Sequence, residues 1–366
     1  MKVLHLNPSL RPGGITGQAA DLARGLQAGG IKNIVMGPAS ELIGALDAAR
    51  VRHITCRTGG WLKLIGAVRK VRSVIRTTAP DVLQTYTPEA ALIARLACRR
   101  LDRRHHPAIV SVITGFLNTR WQRWALGGSS AVVFSSRYLR KVMTERGYVP
   151  RGAAVWVIPT GADESLCYPG YSPSADWLEQ WHLTRPRGEH RYTFCVPCPI
   201  SPLHGLEDLE PIMSALLNNG HSPLAYIVGD SGKADPDYIE SLRSHFADAH
   251  LDERIIWLGH RPDLRDIICA CDVTLYLSRR PESYNRPILE ALALGRPVAG
   301  YDHGAVGELL EAFLPEGKVA PGDARAMADV LLQWRTYRPS MPGQIPAPYR
   351  LSDTVASYRK LYDELA

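Results

Sequence analysis

The protein has 366 residues, of which 45% are hydrophobic and 22% charged, and this composition excludes a disordered or collagen-like chain. The length predicts two or three domains. No segment approaches the run of about eighteen apolar residues that a membrane span requires, and the apolar run near Met1 is too short for a signal peptide, so we expect a cytoplasmic protein. The seven cysteines are irregularly spaced, which favours reduced, buried thiols over a disulfide framework.

The charge differs between the two halves of the chain. Residues 1–165 contain 24 basic and 9 acidic residues, whereas the remainder contains 19 basic and 27 acidic residues. A net charge of +15 in the first half favours an anionic substrate or an anionic membrane surface as a partner. Nucleic acid is disfavoured, because no stretch has zinc-finger, RRM or basic-zipper spacing. The basic amphipathic segment 61–76 fits a helix that covers a sheet or one that lies on a membrane, and we favour the first.

Short β-branched segments alternate with helix-period segments, which is typical of βαβ units and a parallel sheet. In the first half, strands are predicted at VLHL, NIVM, HITC, DVLQTY, AIVSVIT, AVVFSS and AVWVIPTG, with early helices near 16–29 and 39–49. After a polar linker near 170–190, the strand-like runs are YTFCV, AYIVG, RIIWLG, DVTLYLS and RPVAGY. A helix ending near 336, a proline-rich tie at 339–348 and a terminal helix follow.

These elements predict an α/β protein with two Rossmann-like, doubly wound parallel-sheet domains that face a cleft. We place the first domain at residues 1–170 and the second at 171–345. Whether the carboxyl-terminal helix, at 346–366, packs back on the first domain is left open.

The segment ESYNRPILEALALGRPV, at 282–298, is the most informative part of the sequence. Glu282 lies in a loop after a predicted strand, and Glu290 lies about one turn inside a helix predicted to start at Pro287. In open α/β sheets, ligands bind where strands end and helices begin, and a helix N-terminus there favours phosphate. Two carboxylates beside it can accept hydrogen bonds from sugar hydroxyls. The segment therefore predicts a site for a nucleoside diphosphate sugar.

This segment, with nearly the whole chain, resembles the retaining nucleotide-sugar glycosyltransferases of the GT-B fold. The resemblance is to the group 1 family, which includes glycogen synthase-like and lipopolysaccharide-core enzymes. It implies that Glu282 contacts the donor sugar, that Glu290 contacts the ribose, and that the backbone around Tyr284 to Arg286 binds the diphosphate. The other donor-binding residues that it implies are Ser283, Asn285, His204, Gly229, His260, Gly13 and Gly14.

The sequence also departs from the family pattern. The family binds the diphosphate with an arginine and a lysine, and CPISPLHG places Pro199 and His204 at those positions. Thr114 stands where the family has a histidine that approaches the transferred sugar, so the resemblance makes it a catalytic candidate beside Glu282. Three arginines near Glu282 are candidates to replace the missing charge: Arg279, Arg280 and Arg286.

The resemblance implies transfer with retention from a nucleoside diphosphate sugar to an acceptor hydroxyl, with no further cofactor and no metal ion. Arg120 and Arg123, in a cation-and-aromatic cluster, are predicted on the acceptor side. We expect an anionic glycan or glycolipid acceptor, such as a lipopolysaccharide core, and we leave peripheral attachment to the inner face of the membrane open. Two alternatives stay open: a non-catalytic relative that binds a sugar nucleotide, and a nucleotide-sugar 2-epimerase.

Overall fold

The computed structural model describes residues 1–7, 14–38, 43–56, 61–102, 106–183, 191–230 and 236–365. They divide into two compact units, of which the first comprises Met1–Asp163 and Ala347–Ala366 and the second comprises Glu164–Pro346. Each unit contains one parallel sheet with helices between the strands, so the predicted fold class is confirmed. The change of unit at Asp163 falls a little before residue 170, where the sequence placed the end of the first domain.

The first unit has a seven-stranded sheet in the order β3-β2-β1-β4-β5-β6-β7, in which all neighbouring strands are parallel. Its strands are β1 (Lys2–Leu6), β2 (Lys32–Gly37), β3 (Arg52–Thr55), β4 (Val82–Thr85), β5 (Ala108–Ile113), β6 (Ala131–Phe134) and β7 (Ala154–Val157). Its helices are α1 (Gly14–Ala28), α2 (Ile43–Ala48), α3 (Trp61–Thr78), α4 (Pro88–Cys98), α5 (Arg120–Leu126), α6 (Arg137–Glu145) and the last helix of the chain, α14 (Leu351–Leu365).

Helices cover both faces of this sheet, because successive strand residues point to opposite faces and the central strands are mostly apolar and buried on both. Leu83 of β4 packs in one core with Val71 and Ile75 of α3. Val82, the preceding residue, packs in another core with Tyr358 of α14. The interpretation of segment 61–76 as a helix that covers the sheet is therefore confirmed. Among the described residues, none of the helices combines the length and apolarity needed to cross a membrane.

The second unit has a six-stranded parallel sheet in the order β10-β9-β8-β11-β12-β13. Its strands are β8 (Tyr192–Pro197), β9 (Pro223–Val228), β10 (Ile255–Gly259), β11 (Val273–Tyr276), β12 (Val298–Tyr301) and β13 (Lys318–Val319). Its helices are α7 (Ala175–Leu183), α8 (Leu209–Asn218), α9 (Pro236–Asp248), α10 (Leu264–Ala270), α11 (Arg286–Ala293), α12 (Gly304–Phe313) and α13 (Ala324–Thr336).

Hydrogen bonds fix the returning end of the chain to the end of the first unit's sheet. Ala162 N donates to Tyr349 O (2.9 Å), and Leu351 N donates to Ala162 O (2.8 Å). The Thr354 hydroxyl accepts from Gly161 N and donates to Pro159 O, both at 2.9 Å. These bonds satisfy backbone groups that would otherwise be buried without partners, so the position of α14 is defined by polar contacts as well as by its apolar face.

We predict that Gly161→Ala destabilises the first unit. A Cβ atom at residue 161 would lie 2.1 Å from the backbone carbon and oxygen of Arg350. The two chain segments cannot move apart without breaking the hydrogen bonds that Ala162 makes with Tyr349 and Leu351. Overpacking of this kind should lower the free energy of unfolding by about 2 kcal/mol or more, measured by urea denaturation.

Gly44→Ala is the matched control, because a Cβ atom there meets nothing within 4 Å and Gly44 lies inside α2. That variant should be as stable as the wild type or more stable by up to about 1 kcal/mol. Equal unfolding curves for the two variants would contradict the prediction.

Candidate active site

The candidate site lies at the carboxyl ends of β8 and β11. These two strands are neighbours and parallel, and the strand order reverses between them. At such a point the following loops diverge and leave a crevice, which is where open α/β sheets bind ligands. The loop after β8 carries Ser201 and His204, and the loop after β11 carries Glu282. Arg279 N donates to Leu203 O (3.0 Å), which joins the two loops.

Glu282 is held by both its backbone and its side chain. Its carbonyl oxygen accepts from Ala305 N (2.8 Å) at the start of α12, and Asn285 Nδ2 donates to its Oε2 (2.8 Å). Burial raises the pKa of Glu282, against the opposing effect of hydrogen bonds from Asn285 and Ser278. The side chain is 25% exposed, so this carboxyl group is fixed in position yet open to a ligand.

The His204 side chain lies close to Glu282. Its Nε2 lies 3.8 Å from Glu282 Oε1, and its Nδ1 lies 2.7 Å from Ser201 Oγ. Burial lowers the pKa of His204 and raises that of Glu282, so burial favours the neutral form of each. A distance of 3.8 Å is too long for a hydrogen bond. Burial thus favours an uncharged His204 ring that is not hydrogen-bonded to Glu282.

Asn285 caps the helix that follows. Its Oδ1 accepts from Ile288 N (3.0 Å), so α11 begins at Arg286, one residue before the predicted start at Pro287. A helix N-terminus carries partial positive charge and backbone N–H groups, and here the Asn285 side chain occupies one of them. The predicted donor-binding residues of this stretch, Ser283, Tyr284, Asn285 and Arg286, are all half-buried.

The two arginines best placed to replace the missing charge are engaged by carboxylates. Arg286 Nε donates to Glu290 Oε1 (2.7 Å), an i, i+4 pair on α11. Arg279 donates to Asp208 Oδ1 (2.7 Å), and the Tyr301 hydroxyl donates to the other oxygen of the same carboxylate (2.6 Å). Asp208 is buried, and nothing in the segment LHGLED predicts from the sequence that this acid is structural. Arg280 is exposed.

Gly229 and His260 follow β9 and β10 at the same edge of the sheet. A Cβ atom on Gly229 would lie 1.9 Å from Cys198 O, so a side chain there is excluded by the chain that leaves β8. Gly229 N also donates to Gly259 O (2.9 Å). Close packing against Cys198 therefore explains the glycine at position 229 without any ligand. His260 is exposed. Gly14 opens α1 in the first unit, and the prediction for Gly13 falls outside the described residues.

Thr114 follows β5 in the first unit and lines a cavity of about 240 Å³ with Tyr86 and Phe116. Arg120 and Arg123 line a different cavity of the same unit. Helix α5 separates the two, since Gln122 contributes to the first cavity. The structure therefore does not bring the predicted acceptor-side arginines into the cavity of Thr114.

The cysteines form no metal or redox centre in the described part of the chain. All seven are free thiols, and burial raises the pKa of Cys198 to about 12. Within the described ranges, no group of three or more His, Cys, Asp or Glu side chains is arranged to hold a metal ion. Six of these thiols are buried and Cys198 is partly buried, in line with the reduced, buried thiols that the sequence favours.

Comparison with known proteins defines the class. Residues 12–166 match Glycosyltransferase Family 4, and residues 203–336 match Glycosyl transferases group 1. Together with the fold, these matches make the protein a glycosyltransferase of the GT-B fold class. More particularly, it joins a family 4 domain in its first unit to a group 1 domain in its second.

Solved structures with the same fold cover the whole chain. A glycosyltransferase from Rickettsia africae ESF-5 has a TM-score of 0.83 and 17% identity, and covers 100% of this chain and 98% of that one. Anabaena Alr3699/HepE, in complex with UDP and glucose, has a TM-score of 0.77 and 20% identity, with complete coverage of both chains at 100%.

A curated relative matches locally. The N-acetyl-alpha-D-glucosaminyl L-malate synthase of Bacillus anthracis is 29% identical over 84 residues. The match spans 23% of this chain and 22% of the relative.

We predict that Asn285→Ala and Asn285→Ser separate the two contacts of this side chain. Alanine removes the cap and should lower the free energy of unfolding by about 1 kcal/mol. Serine can cap the helix and should lower it by only about 0.3 kcal/mol. Neither side chain reaches Glu282 Oε2, so both variants should weaken sugar-nucleotide binding alike. Urea denaturation and ligand titration check this, and equal stability of the two variants would contradict it.

We predict that Glu282→Gln stabilises the protein at neutral pH. Because burial raises the folded-state pKa of Glu282, the folded carboxyl group binds its proton more tightly than the unfolded one. Below the usual value of 4.5 both states are protonated, and stability is lost as the pH rises through the raised pKa. Glutamine does not titrate, so its advantage in melting temperature should grow with pH. An advantage that is constant from acidic to neutral pH would contradict the assignment.

Proposed function

We propose that the protein transfers a sugar from a nucleoside diphosphate sugar to an acceptor hydroxyl, with retention at the anomeric carbon. The observation that carries this proposal is the position of Glu282, whose partly buried carboxyl group lies at the strand-order reversal of the second unit beside the N-terminus of α11. That arrangement suits a ligand with a hydroxyl-rich end and an anionic end.

Each end of the donor has named partners in this proposal. The Glu282 carboxylate accepts hydrogen bonds from the hydroxyls of the transferred sugar, and Glu290 accepts from the ribose. The diphosphate binds backbone amides at the start of α11, from Ser283 to Arg286. His204 is proposed to donate from Nε2 to a phosphate oxygen, which requires that the Ser201 hydroxyl donate to Nδ1 so that the ring proton lies on the nitrogen that faces Glu282.

The positive field for the leaving diphosphate is local. Arg279 and Arg286 already donate to Asp208 and Glu290. The α11 N-terminus and His204 therefore supply most of the stabilisation, and charged hydrogen bonds of this kind contribute about 1.5–3 kcal/mol each. On this basis we expect turnover without an added metal ion.

In the proposed reaction, the bond between the anomeric carbon and the diphosphate oxygen breaks while the acceptor oxygen bonds to the same face of that carbon. The acceptor proton passes to the leaving phosphate oxygen, so the protein supplies positioning and electrostatic stabilisation. Thr114 is proposed to approach the transferred sugar, as the resemblance implies. No side chain is required as a general base.

The acceptor is proposed to be anionic, since the first 165 residues carry a net charge of +15 and attract anions. A phosphorylated glycolipid, such as a lipopolysaccharide core, fits this charge. The structural neighbour that holds UDP and glucose supports UDP-sugars as the first donors to test.

Two variants test the donor assignment with UDP and UDP-glucose as probes. Glu282→Gln should weaken the binding of UDP-glucose by about tenfold and leave the binding of UDP unchanged, because the proposed contact of Glu282 is with the sugar alone. Glu290→Gln should weaken both ligands by a similar factor, because both contain the ribose. Thermal shift provides the measurement, since a ligand at about 100 times its Kd stabilises by roughly 2.7 kcal/mol.

Glu253→Gln, at an exposed glutamate of the second unit, is the control and should bind both ligands normally. Failure of every nucleotide and nucleotide sugar to bind would overturn the proposal. Binding without hydrolysis or transfer would favour the non-catalytic relative, and a donor epimerised at C2 would favour the epimerase.

A further inference from the structure

A cationic cavity of about 810 Å³ lies on the surface of the first unit, outside the candidate active site. Its charged lining consists of Arg95, Arg120, Arg123 and Arg151, and two of its walls are Trp121 and Trp124. Among the described residues, no acidic side chain contributes to the lining. We refer to these six residues as the cationic cavity.

The cationic cavity extends toward the amino ends of the strands. Part of its wall comes from Gly127, which precedes β6, and part from residues 149–151, which precede β7. Parallel α/β sheets bind their substrates at the opposite, carboxyl edge, where Thr114 lies. The cationic cavity therefore has a location suited to a second ligand and not to the sugar-transfer reaction itself.

The four arginines have no acidic counterpart in the described part of the chain. None of them takes part in the ion pairs found there. Grouping four guanidinium ions around one cavity raises its electrostatic potential and favours the entry of an anion. Guanidinium groups bind phosphate oxygens through paired N–H donors, so phosphate esters match this lining best.

The two tryptophans give the cationic cavity an apolar rim. Trp121 is 43% exposed and Trp124 is 51% exposed, although each has a large apolar ring. The Arg95 guanidinium lies 4.4 Å from the centre of the Trp124 ring and also donates to the Trp124 carbonyl oxygen, which holds that ring in place. Tryptophan beside arginine is typical of protein surfaces that lie at the headgroup level of a membrane.

We propose that the cationic cavity binds the phosphate groups of an anionic lipid surface, with Trp121 and Trp124 at the headgroup level. The net charge of +15 over residues 1–165 gives this unit a long-range attraction for such a surface. Helix α3, for which a position on a membrane surface was the less favoured alternative, covers the sheet, so we assign the contact to α5 and its neighbours. This proposal does not depend on the proposed transfer reaction.

The test is cosedimentation of the full-length protein with vesicles, without any nucleotide. The protein should sediment with vesicles of phosphatidylcholine mixed with phosphatidylglycerol, should remain in the supernatant with phosphatidylcholine alone, and should dissociate as salt is added. The double variant Arg120→Glu, Arg123→Glu should reduce the partition coefficient by about tenfold or more. Trp121→Ser with Trp124→Ser should reduce it while leaving the charge unchanged.

The control Arg325→Glu, Arg338→Glu makes the same change in net charge at exposed positions of the second unit and should lower binding by less than about twofold. Arg120→Lys with Arg123→Lys, which keeps the charge, should retain most of the binding and shows that the site tolerates substitution. Equal loss in the two charge-reversal variants would overturn the proposal. So would tight binding of soluble glycerol phosphate or pyrophosphate with no binding to anionic vesicles.

Discussion

Burial of the Glu282 carboxyl group is the constraint on which the rest of the candidate site depends. A carboxylate removed from water is destabilised unless hydrogen bonds replace its hydration. Asn285 supplies one such bond, and Asn285 is fixed in turn because its oxygen caps α11. The backbone of Glu282 is fixed separately by Ala305 of α12. The position of one acid is thus coupled to the starts of two helices, and a sugar hydroxyl that donates to it would relieve part of the cost of burial.

The same physical argument explains which carboxylates the arginines near the site pair with. Asp208 is buried and needs a compensating charge, so it takes Arg279, with the Tyr301 hydroxyl on its second oxygen. Glu290 takes Arg286 one helical turn away. Neither arginine is then a simple replacement for a phosphate-binding cation, because a diphosphate must compete with a carboxylate already in contact. Among the described groups near Glu282, the backbone N–H groups at the start of α11, the His204 ring and the exposed Arg280 are not hydrogen-bonded to a carboxylate in the contacts above.

The sequence indicates the sheets well because the signal for each strand is local. Val82 and Leu83 are apolar on successive faces, and the helices between strands keep their own period, so βαβ units can be predicted without tertiary information. The Glu282 and Glu290 spacing is also local. The Asp208 cluster could not be predicted, since Tyr301 lies 93 residues and Arg279 lies 71 residues from Asp208 in the chain. The cap at Asn285 could have been, because asparagine two residues before a proline is a common helix start.

The division of charge between the two halves has opposite effects on the two proposed ligands. Residues 164–346, which form the second unit, contain 25 acidic against 16 basic residues, so the net charge of this unit repels a diphosphate at long range. At physiological ionic strength that repulsion is screened beyond about 8 Å, whereas contacts within a crevice are screened much less. Donor binding must therefore rely on a few groups at short distance, with strong dependence on their geometry. An extended anionic surface meets the first unit under the opposite condition, since many basic residues contribute small attractions that salt can remove together.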